Sequence, residues 1–437
     1  MRLSLPRLPE KSPPGPFRHD WWRSPLRGPW LTAVLGSVLL VALPLIILTG
    51  LLSYVAYSPR IGANDIFGGA GPLGFFAFDW PTTPSWLYAL TQGVHVTIGI
   101  AIVPIVLVKL WSVIPKLFEW PPVRSPAHAL ERASLALLVG GILFELVTGV
   151  LNVQIYYPWR FSFVQAHLYG AWVFISAFVL HVGLKLPLML RQLRERGVVT
   201  QLREDLAHTR PEPAQPEIEG PTTEPHITVP VAPSAPTLSR RGLLALAGGS
   251  SLSLLTLTAG QSIGGPLRRV ALLAPHGQSP GSGPNGFQVN KTAAAVGVTQ
   301  RQAESWSLRL MGPRGATLSR AQLLALPQHT EHLPIACVEG WSTTQRWTGV
   351  RLRDLARMAG VDGDAELFAQ SLQKKGVFAQ TTLAASAVAD ERSLLALRVN
   401  GADLSLDHGY PARMIVPALP GVHCTKWVDR LTFTAAS

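Results

Sequence analysis

Four long apolar runs fill the first 190 residues, at about 29–53, 86–108, 131–153 and 164–187, and each is long enough to cross a bilayer as a helix. A fifth, 242–263, is rich in Leu, Gly and Ser and follows Arg240-Arg241. In lipid a segment must satisfy its own backbone polar groups, so this half of the chain is limited to a helical bundle. Pro44, Pro104 and Glu145 lie inside the runs and are tolerated in such a bundle. Ser125-Pro126 supplies a cap and first turn ahead of the third run. Only 15% of residues are charged, against about 25% in soluble proteins, which excludes a wholly soluble chain and a disordered one. The net charge of +12 would suggest a nucleic-acid partner if Lys and Arg gathered around a binding motif, but they flank the apolar runs instead.

Those flanking charges set the orientation. Arg18, Arg23 and Arg27 precede the first run, Lys109, Lys116, Arg124 and Arg132 separate the second from the third, and Lys185, Arg191, Arg194 and Arg196 follow the fourth. The positive-inside rule makes these regions cytoplasmic. The 54–85 loop and the Tyr156-Tyr157-Pro158-Trp159 turn then face outward, and Trp80, Trp86, Tyr156 and Trp159 suit interfacial belts. A fifth crossing puts everything after about residue 264 on the external face; a buried soluble helix or apolar linker at 242–263 would leave it inside. Met1 opens a Pro-rich, basic stretch before a long span with no small-residue cleavage site, so no cleavable presequence is expected.

Ionisable residues inside the runs require explanation. His167 and His181 are fourteen residues apart, which on a helix is about 21 Å of rise and roughly 40° of rotation. They share a face at opposite depths. His95 matches the outer level of His167, and His128 the inner level of His181, although His19 is an alternative inner partner. An interhelical hydrogen bond is the plainer role for any one of them. Two imidazoles per iron would hold a b-type haem suited to electron transfer, so one or two haems are expected. The arrangement over residues 25–190 resembles the di-haem cytochrome b subunits of membrane formate dehydrogenases and hydrogenases.

Eight prolines between 211 and 236 mark an extended linker, and Ser279-Pro280-Gly281-Ser282-Gly283-Pro284 a flexible one. Beyond it, strand-like runs at Ser305–Leu310, Leu394–Val399, Ala412–Val416 and Trp427–Phe433, with a short helix at 350–359, predict a mixed α+β domain. The chain therefore divides into an N-terminal cytoplasmic segment (1–28), a transmembrane cytochrome b-like domain (29–190), a cytoplasmic linker (191–241), a fifth helix (242–263), a flexible linker (264–284) and a catalytic domain (285–437). With two cysteines, Cys337 and Cys424, the chain can form neither a disulfide framework nor a Cys-rich cluster.

The run Cys337-Val338-Glu339-Gly340-Trp341-Ser342 resembles the molybdopterin domain of the sulfite oxidase superfamily, especially the periplasmic methionine sulfoxide reductase catalytic subunit. There a Cys-Val-Glu-Ala-Trp-Ser run supplies the thiolate ligand to molybdenum; Gly340 stands in place of the Ala. Trp347-Thr348-Gly349 is similar to the family's Trp-x-Gly. Asn285-Gly286-Phe287-Gln288-Val289-Asn290-Lys291 resembles its pterin-contacting entry segment. Gly409 to Pro417 resembles its Gly-x-Pro-x-Arg segment, and Gly421 to Trp427 its Gly-Phe-Lys-Gly-Ile-Lys loop, with Cys424 where a glycine is expected. The resemblance implies Cys337 as molybdenum ligand and catalytic residue. Asn285, Phe287, Asn290, Arg413, His423 and Lys426 would hold the pterin, the cationic ones by charge-assisted bonds to its phosphate. Trp341, His329 and His332 would shape the substrate side.

Ser239-Arg240-Arg241-Gly242-Leu243-Leu244 resembles a twin-arginine export signal, which implies export machinery as a partner. Taken together, the expectation is a multi-pass enzyme of the bacterial inner membrane with its catalytic domain on the periplasmic face. It would couple oxygen-atom transfer at Mo-molybdopterin to haem b and the quinone pool, reducing a small oxo substrate such as a sulfoxide. The alternatives are a sulfite-type dehydrogenase feeding quinone and a non-catalytic haem electron-transfer module.

Overall fold

A computed structural model describes residues 11–57, 78–212, 228–275, 283–374 and 377–436. Residues 58–77 of the 54–85 loop, 213–227 of the Pro-rich linker, and 279–282 of the second linker lie outside them.

The N-terminal half is helical: α1 (Pro29–Tyr57), α2 (Leu87–Ala101), α3 (Val103–Val113), α4 (Pro126–Val153), α5 (Phe163–Arg196), the short α6 (Val198–Leu202) and α7 (Arg240–Ile263). Four of these, α1, α4, α5 and α7, are long and apolar enough to cross a membrane, and α2 with α3 forms a fifth such segment bent by 43°. Pro104 explains the bend: it has no N–H to bond the preceding turn, and its ring crowds that turn's carbonyl. Along the helices Val41, Leu48, Leu137, Val179 and Leu184 are exposed, as a lipid-covered surface requires. Ser125 caps α4 as expected, its hydroxyl accepting from the His128 N–H at 3.1 Å.

The chain forms two compact units. The first comprises 1–45, 98–150 and 166–254. There the Glu212 carboxylate sits at the positive end of α1, accepting from the Trp30 N–H at 3.0 Å and pairing with Arg196 at 2.7 Å. Arg240, the first arginine of the export-like motif, is buried and donates to the carbonyls of Pro25 and Arg210.

The second unit comprises 46–97, 151–165 and 255–437. Its C-terminal part is a mixed α+β domain with two five-stranded sheets. One has the order β2 (Ala316–Ser319), β1 (Ser307–Met311), β10 (Val428–Ala435), β5 (Ala365–Ser371), β6 (Gln380–Leu383), with only β1 and β10 parallel. The other has the order β3 (His329–Ala336), β4 (Ser342–Arg351), β7 (Leu394–Val399), β8 (Ala402–Asp403), with β9 (Arg413–Ile415) also on β7. The expected strands at 305–310, 394–399, 412–416 and 427–433 correspond to β1, β7, β9 and β10, and α10 (Leu352–Met358) to the expected helix; α8 (Gln300–Glu304), α9 (Arg320–Ala325) and α11 (Ala385–Ala389) complete the domain. Between the sheets Leu308, Leu310, Leu352, Leu355, Leu395 and Leu431 form a sealed core.

One aromatic assignment changes. Trp80 does not stand in an interfacial belt: it is buried, and its indole N–H donates to the Ala418 carbonyl at 2.8 Å. A buried indole takes a hydrogen-bond partner wherever the fold offers one. Trp86, Tyr156 and Trp159 are exposed, as belts require.

Candidate functional site

The β3–β4 hairpin delivers Cys337. Five residues, 337–341, join the strands, and the Cys337 N–H donates to the Trp341 carbonyl at 2.9 Å while the Gly340 N–H donates to the Cys337 carbonyl at 3.0 Å. Gly340 takes φ +90°, where a side chain is strained, and a Cβ there would meet Val96 of α2 at 2.8 Å. Glycine in place of the resembled family's alanine thus follows from the turn and from the helix beside it. Three consecutive loop carbonyls are taken by helix side chains: Gln92 of α2 donates to Val338, and Gln261 and Ser262 of α7 donate to Glu339 and Gly340. Ser342 donates back to the Ser262 carbonyl at 2.8 Å.

The Cys337 thiol is buried, and burial followed by the Glu339 carboxylate pushes its pKa well above the ordinary range. A cationic ligand would reverse that preference, since a coordinated thiol is deprotonated. Tyr57, Tyr88 and Tyr157 all lie within electrostatic range of Cys337 and Glu339. Sequence reading put Tyr57 and Tyr157 in outward-facing connections and Tyr88 in the second apolar run, and gave none of the three a role at the site. Only the docking of 46–97 and 151–165 within the same unit brings them together.

Beside Cys337 an aromatic and cationic stack fills the domain. Phe287 packs edge-on to Trp347 (5.7 Å between centroids) and lies flat on His408 (3.7 Å). The Arg413 guanidinium sits 5.2 Å from the Trp347 ring and donates to the carbonyls of His408 and Cys424, both at 3.1 Å. Burial lowers the pKa of Arg413 to about 10. Lys426 is drawn inward to donate to the carbonyls of Lys291 (2.6 Å) and Asp407 (2.8 Å), and burial followed by Arg413 lowers its pKa to about 7. Cys337 and Cys424 share one apolar cluster with Phe287 and Trp347, and both thiols are free.

The remaining expected residues have distinct positions. Asn285 spends its side chain on the backbone, accepting from the Ser405 N–H at 2.8 Å and donating to the Asp403 carbonyl at 2.9 Å. Asn290 is exposed. His423 is buried, with Nδ1 2.7 Å from the Thr381 hydroxyl and Nε2 3.2 Å from the Ala56 carbonyl at the end of α1. The Trp341 indole donates to Glu339 at 2.7 Å. His329 begins β3, eight residues before Cys337 and so roughly 25 Å along the strand. It approaches Asp354 rather than the cysteine loop.

Of the helix histidines, His95 on α2 has Nδ1 3.0 Å from the Ile46 carbonyl, and His167 on α5 has Nδ1 3.1 Å from Glu145 and 2.9 Å from the Thr148 hydroxyl. His181 lies on the same unbroken α5 as His167, half-buried. His128 differs: its Nδ1 accepts from the Arg124 N–H at 3.2 Å, so its neutral ring carries hydrogen on Nε2.

A pterin with a phosphate fits this donor set. Arg413 Nε, Gln288 Nε2 and Thr425 Oγ1 are buried without hydrogen-bond partners among the described residues, and they lie on the segments that meet around Phe287 and Trp347. Unmet buried donors are costly unless a ligand meets them. A buried thiol beside them is a suitable soft ligand.

A buried cysteine hairpin beside an arginine-capped aromatic cluster, on this two-sheet α+β frame, suits a molybdopterin-binding oxidoreductase domain. Residues 295–437 match the family described as oxidoreductase molybdopterin binding domain. The chain is 33% identical over 132 residues to the uncharacterized oxidoreductase YuiH of Bacillus subtilis, covering 30% of this chain and 65% of that one. It is 29% identical over 164 residues to the mitochondrial sulfite oxidase of Mus musculus (31% and 30%), and 34% identical over 104 residues to an NADH nitrate reductase of Volvox carteri (21% and 12%). The similarity thus spans less than two thirds of each relative. The C-terminal part of the chain thus carries a molybdopterin oxidoreductase domain, similar over part of its length to sulfite oxidases, and follows a helical region with several membrane-length helices.

Proposed function

We propose that this protein is a membrane-integral molybdenum oxidoreductase of the sulfite-oxidising type, which passes electrons from an external molybdopterin centre through b-type haem to the quinone pool. When bound, the molybdenum cofactor supplies two-electron oxygen-atom transfer. Within the chain, Cys337 holds the metal, Phe287 and Trp347 wall the pterin, and Arg413 with Lys426 meets its phosphate. Tyr57, Tyr88 and Tyr157 offer phenol donors to an oxyanion near Cys337. His95, His167 and His181 are the candidate iron ligands, whereas His128, whose Nδ1 accepts from the Arg124 N–H, has the tautomer that does not suit Nε2 ligation; the positive-inside charges favour a periplasmic catalytic domain.

The observation that carries this reading is the clamp on the cysteine loop. Gln92, Gln261 and Ser262, all on membrane-length segments, take the carbonyls of Val338, Glu339 and Gly340 next to Cys337. A domain serving a soluble electron carrier has no need to seat its metal-ligand loop on membrane helices. The oxidising direction is supported by similarity to sulfite oxidases. Reduction of a sulfoxide is the second reading, favoured by the Cys337–Ser342 run. Anaerobic mixing separates the two: sulfite should reduce the haem of the oxidised protein within turnover time. Haem unmoved by sulfite, but reoxidised by sulfoxides in the reduced protein, would reverse the direction.

A further inference from the structure

His95 and His167 lie in two cradles built to the same plan on different helix pairs. On α1 the sequence Ile46-Ile47-Leu48-Thr49-Gly50 faces His95; on α4 the sequence Glu145-Leu146-Val147-Thr148-Gly149 faces His167. In each, the glycine makes room for the ring: a Cβ at Gly50 would stand 2.8 Å from His95 Cε1, and one at Gly149 would stand 3.3 Å from His167 Cε1. In each, the threonine one residue earlier points its hydroxyl at the ring Nδ1, at 3.5 Å for Thr49 and 2.9 Å for Thr148. Both hydroxyls donate their single hydrogen to helix carbonyls, Thr49 to Ile46 at 3.1 Å and Thr148 to Phe144 at 2.7 Å. They can therefore only accept from the histidines.

The tautomer follows in both cradles. Nδ1 faces acceptors and carries the hydrogen, which leaves the lone pair of the neutral ring on Nε2. That is the form in which an imidazole binds iron through Nε2. His128, with Nδ1 accepting, has the opposite form.

The cradles differ at the position four residues before the glycine. At His95 the acceptor is the backbone carbonyl of residue 46, 3.0 Å away. At His167 it is the Glu145 side chain, with Oε2 at 3.1 Å. This carboxyl is held close: a Cβ at Gly170 would strike its Oε1 at 2.3 Å, and Oε1 has no hydrogen-bond partner among the described residues. A carboxyl group in a membrane-length helix is expensive to retain for packing alone.

We infer that Glu145 is the positioning residue of His167, fixing its ring as an Nε2 ligand and making it the more electron-donating of the two outer histidines, so that the potential of the haem it binds is held down. This rests on the proposed haem ligation. A carboxylate accepting the far N–H of a metal-bound imidazole raises the basicity of the ligand and favours the oxidised metal.

Redox titration of the full-length, detergent-purified protein, read in the haem optical bands and low-spin EPR, tests it. His167→Ala examines the underlying reading and should lose a bis-histidine haem signal; full retention of the signals would overturn haem ligation and this inference with it. Glu145→Gln should keep the low-spin spectrum, raise the haem midpoint potential and shift its g-values. Thr148→Val should move both in the same direction by less, and it decides the matter if the Glu145 variant does not accumulate. Wild-type potential and g-values in these variants, with the signal lost in His167→Ala, would confine Glu145 to packing and overturn the inference.

Discussion

At the scale of single residues, the site combines side chains the sequence displays with others it conceals. Cys337, Phe287 and Arg413 stand in runs whose resemblance to a known family can be read directly, and the structure gathers them around Trp347, with Cys337 and Phe287 in its apolar cluster and Arg413 over its ring. His408 was passed over, although it lies against Phe287 and donates from Nε2 to the carbonyls of Pro284 (2.8 Å) and Phe287 (3.2 Å). Nothing in its neighbourhood distinguishes it from a surface histidine until the 284–287 segment folds over it. Burial, followed by Arg413 and Lys426, lowers its pKa from 6.5 to about 3. The unfolded chain therefore takes up a proton that the folded one refuses, and His408 contributes stability that is complete above pH 6.5 and is lost as pH falls toward 3. His408→Gln keeps a donor for the two carbonyls and cannot titrate. Its thermal midpoint should fall less steeply than wild type between pH 6.5 and 4; parallel curves would remove His408 as the cause.

Among the elements, the strands and long helices were legible because their signals are local. The apolar run of β7, the partial alternation of β10 and the long apolar runs in α1, α4 and α5 each determine a segment without reference to distant residues. What could not be read was the register of one element against another. Trp80 has the composition of an interfacial residue and is in fact buried against Ala418. Gly349 is a related case: its place in a Trp-x-Gly run is visible, but its cause is the approach of β7, whose Leu395 carbonyl would stand 2.0 Å from a Cβ at that position. Because the obstacle is backbone, the strand pair must part. Gly349→Ala should cost about 1–3 kcal/mol, seen as a lower denaturation midpoint of the C-terminal domain, and an unchanged midpoint would mean that the β4–β7 bulge absorbs the methyl group.

For the molecule as a whole, the sequence divides cleanly into a sparsely charged helical half and an α+β domain, and the structure retains that division in secondary structure but not in its compact units. The C-terminal domain shares its unit with parts of α1, α2 and α7, so the loop that carries Cys337 rests on membrane-length helices. Fusion in one chain then has a physical reason, since the loop that carries Cys337 and the helix that carries His95 are joined through Gln92 and Val96. The most direct test is to quantify molybdenum and haem in full-length wild type and Cys337→Ser, and to follow haem reduction by sulfite in both. Molybdenum and haem together in wild type, with sulfite-driven haem reduction abolished in Cys337→Ser while its haem spectrum stays intact, is the predicted result. Undiminished haem reduction in Cys337→Ser, or haem-replete wild type that holds no molybdenum, would contradict it.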